Sequence, residues 1–151
     1  TRIKYFILEK NFYLIKIGME FYSNQKNLHF TKKIPSVSFS IICIIGTLQY
    51  IENFSTLFKN LKFKKKSHIY ISRTIFNNST CNYFSIQRVF SKERVEQKVL
   101  IYSLKSFISF LKNHGFELEF IRKNQLLNDK FKELPKNIEI NFYDLLFTKF
   151  K

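Results

Sequence analysis

Two cysteines and three histidines are the residues best suited to metal or nucleophilic chemistry in this 151-residue chain. They do not assemble into a recognisable site. Cys43 and Cys81 stand 38 residues apart with no CxxC or Cys/His spacing, and His29, His68 and His114 are scattered singly. A metal needs three or four converging ligands, so the pattern predicts reduced, structural thiols and no metal centre. No G-x-x-x-x-G-K, G-x-G-x-x-G or G-x-S-x-G motif occurs, and three glycines cannot build a phosphate-cradling loop. No carboxylate pair and no nucleophile with a neighbouring base is evident, so the residue types predict a protein without catalytic residues or cofactor, not an enzyme.

Charge is the remaining chemical signal. The chain carries 26 Lys+Arg against 11 Asp+Glu, a net charge of +15, while 45% of its residues are hydrophobic. That apolar content predicts one folded domain rather than a basic disordered tail. Ala and Trp are absent, and Phe, Ile, Lys, Asn and Tyr together supply 80 of the 151 residues. All five have A/T-rich codons, so part of the lysine excess reflects base composition. Position separates the two causes. Residues 1–20 carry four basic and two acidic groups, residues 93–151 eleven and eight, but residues 21–92 carry eleven basic groups and only Glu52. A 72-residue span so poor in carboxylates predicts a surface facing a polyanion.

The elements that would position these charges follow from apolar spacing. Residues 1–36 read as an N-terminal extension closed by Pro35. Ser38–Gly46 turns from alternating to continuously apolar, as a buried strand does, and Tyr50, Phe54, Leu57, Phe58 and Leu61 mark one helical face. Phe63-Lys64-Lys65-Lys66 reads as a basic turn at the helix exit. His68–Phe76 alternates as a strand, Asn77–Thr80 is a loop, Tyr83–Ile86 is extended, and Val99–Leu111 reads as a long strand, although Leu104, Phe107, Ile108 and Leu111 also suit a helix. Phe116, Phe120, Leu127, Phe131 and Leu134 have helical spacing up to Pro135, and Ile138, Ile140 and Phe142 alternate in a last strand. No stretch is long and apolar enough to predict a membrane span, and the opening Thr1-Arg2-Ile3-Lys4 shows no cleavable leader.

The resulting β-α-β-β-α-β order predicts an α+β fold, a ferredoxin-like split sandwich with a long β-hairpin. Its expected divisions are the extension 1–36, the domain 37–143 and a tail 144–151. Within that order, Phe84-Ser85-Ile86-Gln87-Arg88 followed by Lys92-Glu93-Arg94-Val95-Glu96-Gln97, and then Leu134-Pro135-Lys136-Asn137-Ile138-Glu139-Ile140, resemble two motifs of the small-ribosomal-subunit protein ten family in its mitochondrial form. The resemblance spans about residues 38–142. It departs from the family where Val89-Phe90-Ser91 replaces Ser-Pro-His. It implies a structural component of the mitochondrial ribosome's small subunit, located in the matrix, with rRNA and neighbouring head proteins as partners and no small-molecule substrate. On that resemblance Lys64, Lys65, Lys66, Arg73, Arg88, Lys92, Arg94 and Lys98 are the expected rRNA-binding residues. Another organellar RNA-binding or ribosome-assembly protein, or a basic accessory subunit of an organellar membrane complex, are the alternative readings.

Overall fold

The computed structural model describes residues 3–90, 94–124 and 137–150, with positions 88–90, 94 and 95 as backbone only. The N-terminal part forms a small βαβ unit. Strand β1 (Tyr5–Leu8) leads into helix α1 (Phe12–Phe21) and strand β2 (Leu28–Thr31), and β1 and β2 pair in parallel as a two-stranded sheet. Asn11 starts α1, its Oδ1 accepting the N–H groups of Tyr13 (2.9 Å) and Leu14 (3.4 Å). Gly18 lets the helix settle on β2, because a Cβ there would overlap the Phe30 ring.

A mixed six-stranded sheet forms the rest. Its axis is the 16-residue strand β4 (Lys62–Asn77). Along one edge of β4 runs β8 (Ile140–Lys149), antiparallel, which in turn pairs with antiparallel β7 (Phe116–Asn124). The other edge is shared: β3 (Ser38–Ile45) pairs in parallel with residues 62–72 of β4, and β6 (Arg94–Ser103) pairs in parallel with Phe76 and Asn77. Strand β5 (Tyr83–Phe90) completes an antiparallel hairpin with β6 through the segment containing Arg88.

Between β3 and β4 the chain makes a 3-10 turn (Leu48–Tyr50) and helix α2 (Phe54–Lys59), whose Asn53 side chain accepts the Thr56 N–H at 3.0 Å. Helix α3 (Leu104–Asn113) follows β6 directly, capped by Ser103 Oγ accepting the Ser106 N–H at 3.1 Å. Both helices lie on one sheet face. Phe107 and Leu111 of α3 and Phe54 and Phe58 of α2 meet Ile69 and Ile71 of β4, Phe116 of β7, and Leu145 and Phe147 of β8. Each such large side chain, fully buried, contributes about 1.5–3 kcal/mol.

This is not the expected ferredoxin-like split sandwich. Ser103 divides the segment read as one strand into the end of β6 and α3, because its hydroxyl caps a helix whose Leu104, Phe107, Ile108 and Leu111 face the core. Residues 116–124, read as the start of a helix, form β7. There Phe116 and Leu118 turn to the core while Glu117 and Glu119 stay exposed, a period of two that outweighs the wider helical spacing. The remainder of that expected helix, 125–134, lies outside the described residues. The lysines 64–66, read as a helix-exit turn, belong to β4 itself.

Candidate ligand site at the carboxyl ends of β3 and β4

In open sheets with parallel strands, ligands gather where the strands' carboxyl ends release their loops. At the end of β3, Gly46 adopts φ +63°, turning the chain off the sheet. A Cβ at this position would meet nothing within 4 Å, so the backbone is open to close approach. The turn is fixed from both sides. The Gly46 N–H donates to the Ser72 carbonyl of β4 (2.9 Å), and Gln49 Nε2 donates to the Gly46 carbonyl (3.0 Å). Gln49 is 7% exposed, and its Oε1 is, among the described residues, the one buried side-chain polar atom without a partner. Leaving such an acceptor unpaired costs about 1–3 kcal/mol.

Beside this turn β4 bulges. The register with β8 slips between Ile71 and Thr74, and Arg73 takes φ +53°, a left-handed conformation that costs a non-glycine residue about 1–2 kcal/mol. Asp144, facing the bulge from β8 and 2% exposed, offsets that cost. Its Oδ1 accepts the Ser72 hydroxyl (2.7 Å) and the Arg73 N–H (3.2 Å). Its Oδ2 accepts Arg122 Nε (3.0 Å), Arg122 Nη2 (2.5 Å) and Asn124 Nδ2 (3.1 Å). The Ser72 hydroxyl above all, with Arg122, the Arg73 N–H and Asn124, holds the Asp144 carboxyl well below the usual carboxylate range, against the opposing effect of burial. Asp144 therefore stays ionised and fully engaged, a structural anion rather than a proton acceptor. The Arg73 side chain, by contrast, is exposed and has no ion-pair or hydrogen-bond partner among the described residues.

The β5–β6 hairpin is fastened over the segment that follows β3. Tyr50 Oη donates to Gln87 Oε1 (2.9 Å), Lys98 Nζ lies 3.6 Å from Glu52 Oε1, and Tyr102 Oη donates to the Ile51 carbonyl. Burial pushes the Tyr102 phenol up to about 12, so it remains a hydrogen-bond donor. At the end of β1, the Glu9 N–H donates to the Thr31 carbonyl (3.0 Å) and Glu9 Oε1 accepts the Asn11 N–H (2.8 Å). Glu9 Oε2 has no partner among the described residues.

Of the eight residues expected to bind RNA, the structure describes the side chains of five, which are spread along β4 and β6. Lys64, Lys65 and Lys66 are exposed at the start of β4, and Arg73 lies in the bulge farther along it. Lys98 is on the hairpin, paired with Glu52 and 4.1 Å from the Phe84 ring centroid. Arg88 and Arg94 occupy the backbone of β5 and β6, and Lys92 lies outside the described residues. Sequence reasoning passed over Gly46, Gln49, Glu9 and Asp144. The available signals were a glycine ending an apolar strand, a carboxylate just past the end of β1, and the single carboxylate inside β8.

No family model and no curated protein matches the chain. Solved structures do. The chain is similar to a SAM-dependent methyltransferase from Methanosarcina mazei (TM-score 0.65, 12% identity, covering 95% of this chain and 81% of that one). Another, from Mesorhizobium loti, gives a TM-score of 0.62 at 11% identity, covering 97% and 81%. A third, from Clostridium acetobutylicum, gives 0.58 at 10% identity, covering 97% and 75%. The fold is thus the methyltransferase-like one. This overturns the resemblance to the ribosomal protein ten family, whose two motifs fall on the β5–β6 hairpin and the approach to β8 of a different sheet. With it fall the expectations of a ribosomal or other RNA-binding role, of a membrane-complex subunit, of a non-enzyme, and of partners that exclude a small molecule. No described helix is long and apolar enough to cross a membrane.

Proposed function

We propose that this chain forms part of a SAM-dependent methyltransferase that acts on a small-molecule acceptor. The observation that carries the reading is the coincidence of a methyltransferase-like fold over 95% of the chain with an open glycine turn at the carboxyl end of a parallel strand. The residues present suit such a cosubstrate. Its ribose diol needs a hydrogen-bond acceptor, and Glu9 at the end of β1 keeps one carboxylate oxygen uncommitted. Its bulk needs a backbone without an intervening side chain, which Gly46 provides.

When bound, the cosubstrate supplies an electrophilic methyl group on a sulfonium. The chain's own part is to place and enclose it. Glu9 would accept a ribose hydroxyl and the Gly46 turn would form the floor, while the Asp144 network keeps the bulge beside that turn rigid. The hairpin, tied down through Tyr50, Lys98 and Tyr102, keeps water out. Arg73, uncommitted next to the site, gives the acceptor an anionic preference.

Incubating the protein with [methyl-³H]SAM and a size-fractionated cell extract tests the proposal. Label is expected in the low-mass fraction, and Glu9→Gln should raise the KM for SAM about 10–100-fold, the worth of one charge-assisted hydrogen bond. Label in no fraction would overturn it.

A further inference from the structure

Strand β7 closes one end of the six-stranded sheet, with β8 on one side and, among the described residues, no strand on the other. Its sequence divides by sign. Glu117 and Glu119 stand in the amino-terminal half, Arg122 and Lys123 in the carboxyl-terminal half, and all four are exposed. Between them lie Phe120 and Ile121, 47% and 46% exposed. Ile121 pairs with Leu145 of the main core, so it lies on the face covered by α2 and α3, while Phe120, paired with Leu146, lies on the other. Each face of the sheet therefore ends at this edge in an exposed apolar side chain.

A free edge offers main-chain N–H and C=O groups to another strand, and chains commonly guard it with a lysine or a bulge. Strand β7 has both: Lys123, and the register shift between Leu118 and Phe120. Its lysine is no guard against a second copy of the same strand. The chain carries a net charge of +15 and repels its own copy over most of its surface. Along β7 two carboxylates offset two cations, and an antiparallel copy sets each acidic half against a basic half. Neither Glu117 nor Glu119 has an ion-pair partner among the described residues. Arg122 uses Nε and Nη2 on Asp144, which leaves Nη1 without a partner there, and Lys123, paired with Glu139, remains 46% exposed. The opposite end of the sheet differs, since β5 carries Arg88 and no carboxylate.

We infer that a second copy of this chain pairs with β7 across a two-fold axis, extending the antiparallel β7–β8–β4 array into one sheet through both copies. In such a pair residue i faces residue j and j faces i, so every contact occurs twice. Residues 120–124 form the regular part of the ladder beyond the bulge. With the axis at Ile121, that residue meets its own copy, Glu119 is opposite Lys123, and Phe120 is opposite Arg122, whose guanidinium can lie on the ring. With the axis at Arg122, like charges would meet, which disfavours that register. A ladder this short buries less surface than a permanent dimer does, so the association is reversible and concentration-dependent.

The pairing needs neither SAM nor an acceptor, so its test reads mass alone. Sedimentation velocity of the chain over a dilution series up to about 100 μM should show a reversible dimer. Glu119→Lys sets a lysine against Lys123 of the copy, and Lys123→Glu sets a glutamate against Glu119. Each variant alone should dissociate about tenfold more readily. Mixing the two restores an opposite-sign pair at both positions, so a heterodimer should return with near wild-type affinity. A loss of fold would not be rescued in trans. Ile121→Lys, which brings two lysines together on the axis, should also give monomers and leaves the Lys123–Glu139 pair intact. A single monomeric species throughout, a dimer indifferent to all three substitutions, or a mixture that stays monomeric would overturn the inference.

Discussion

Asp144 is the strongest test of how the bulge beside the site is held. Replacing it with Ala removes the acceptor for the Ser72 hydroxyl, the Arg73 N–H, Arg122 and Asn124 at once. Arg122 is 62% exposed and turns to water without loss, so the cost falls on the two buried donors and on the strained Arg73 backbone. Losing charge-assisted hydrogen bonds of about 1.5–3 kcal/mol each, which are not additive, gives a net penalty of about 3 kcal/mol. For a chain of this length that corresponds to a Tm lower by about 6–12 °C. Asp144→Asn keeps an Oδ1 acceptor but loses the charge and should lower the Tm by about half as much. The folded carboxyl lies well below its unfolded value, so its contribution is fully present above about pH 4 and declines as pH falls further toward the folded value. Thermal unfolding followed by circular dichroism from pH 2.5 to 7 reads both effects. A Tm change under about 2 °C for Asp144→Ala at pH 7, or a wild-type advantage over Asp144→Asn that stays constant below pH 4, would refute the reasoning.

The other expectations concern the hairpin, the core and the N-terminal helix. Tyr102, with its phenol pushed up to about 12, should stay protonated through most of an ultraviolet titration. Its contribution to stability should persist below pH 10 and be lost between pH 10 and 12, and Tyr102→Phe should abolish that alkaline loss. Phe107, 4% exposed and in ring contact with Phe54, Phe76, Tyr102 and Phe147, should cost about 3–5 kcal/mol as Ala in denaturant unfolding. Gly18→Ala should force Phe30 aside and destabilise α1 by about 1–3 kcal/mol, read as faster hydrogen exchange over residues 12–22 while α3 is unchanged.

The sequence exposes some elements and hides others for identifiable reasons. Strand β3 and the middle of β4 are legible because their apolar runs are continuous or alternate cleanly. Helix α3 competes with a strand reading because Leu100, Tyr102 and Leu104 run on at period two into Leu104, Phe107 and Leu111. The decisive signal is the single capping hydroxyl of Ser103. In β7, frequent Phe and Leu satisfy helical spacing by composition alone, and only the exposed Glu117 and Glu119 between Phe116, Leu118 and Phe120 mark the strand. The site is harder to read. Gly46 looks like ordinary punctuation until its φ and its open surroundings are known, and Asp144 gains its role from partners 20 to 72 residues away. The charge excess drew attention to lysines that the fold distributes along β4 and the hairpin.

The central claim is that the carboxyl ends of β1 and β3 hold SAM. Isothermal titration of SAM into the protein tests it most directly. Saturable one-to-one binding is expected, weakened about 10–100-fold by Glu9→Gln and unaffected by Lys64→Gln at the far end of β4. Absence of binding, or binding indifferent to Glu9, would contradict the account.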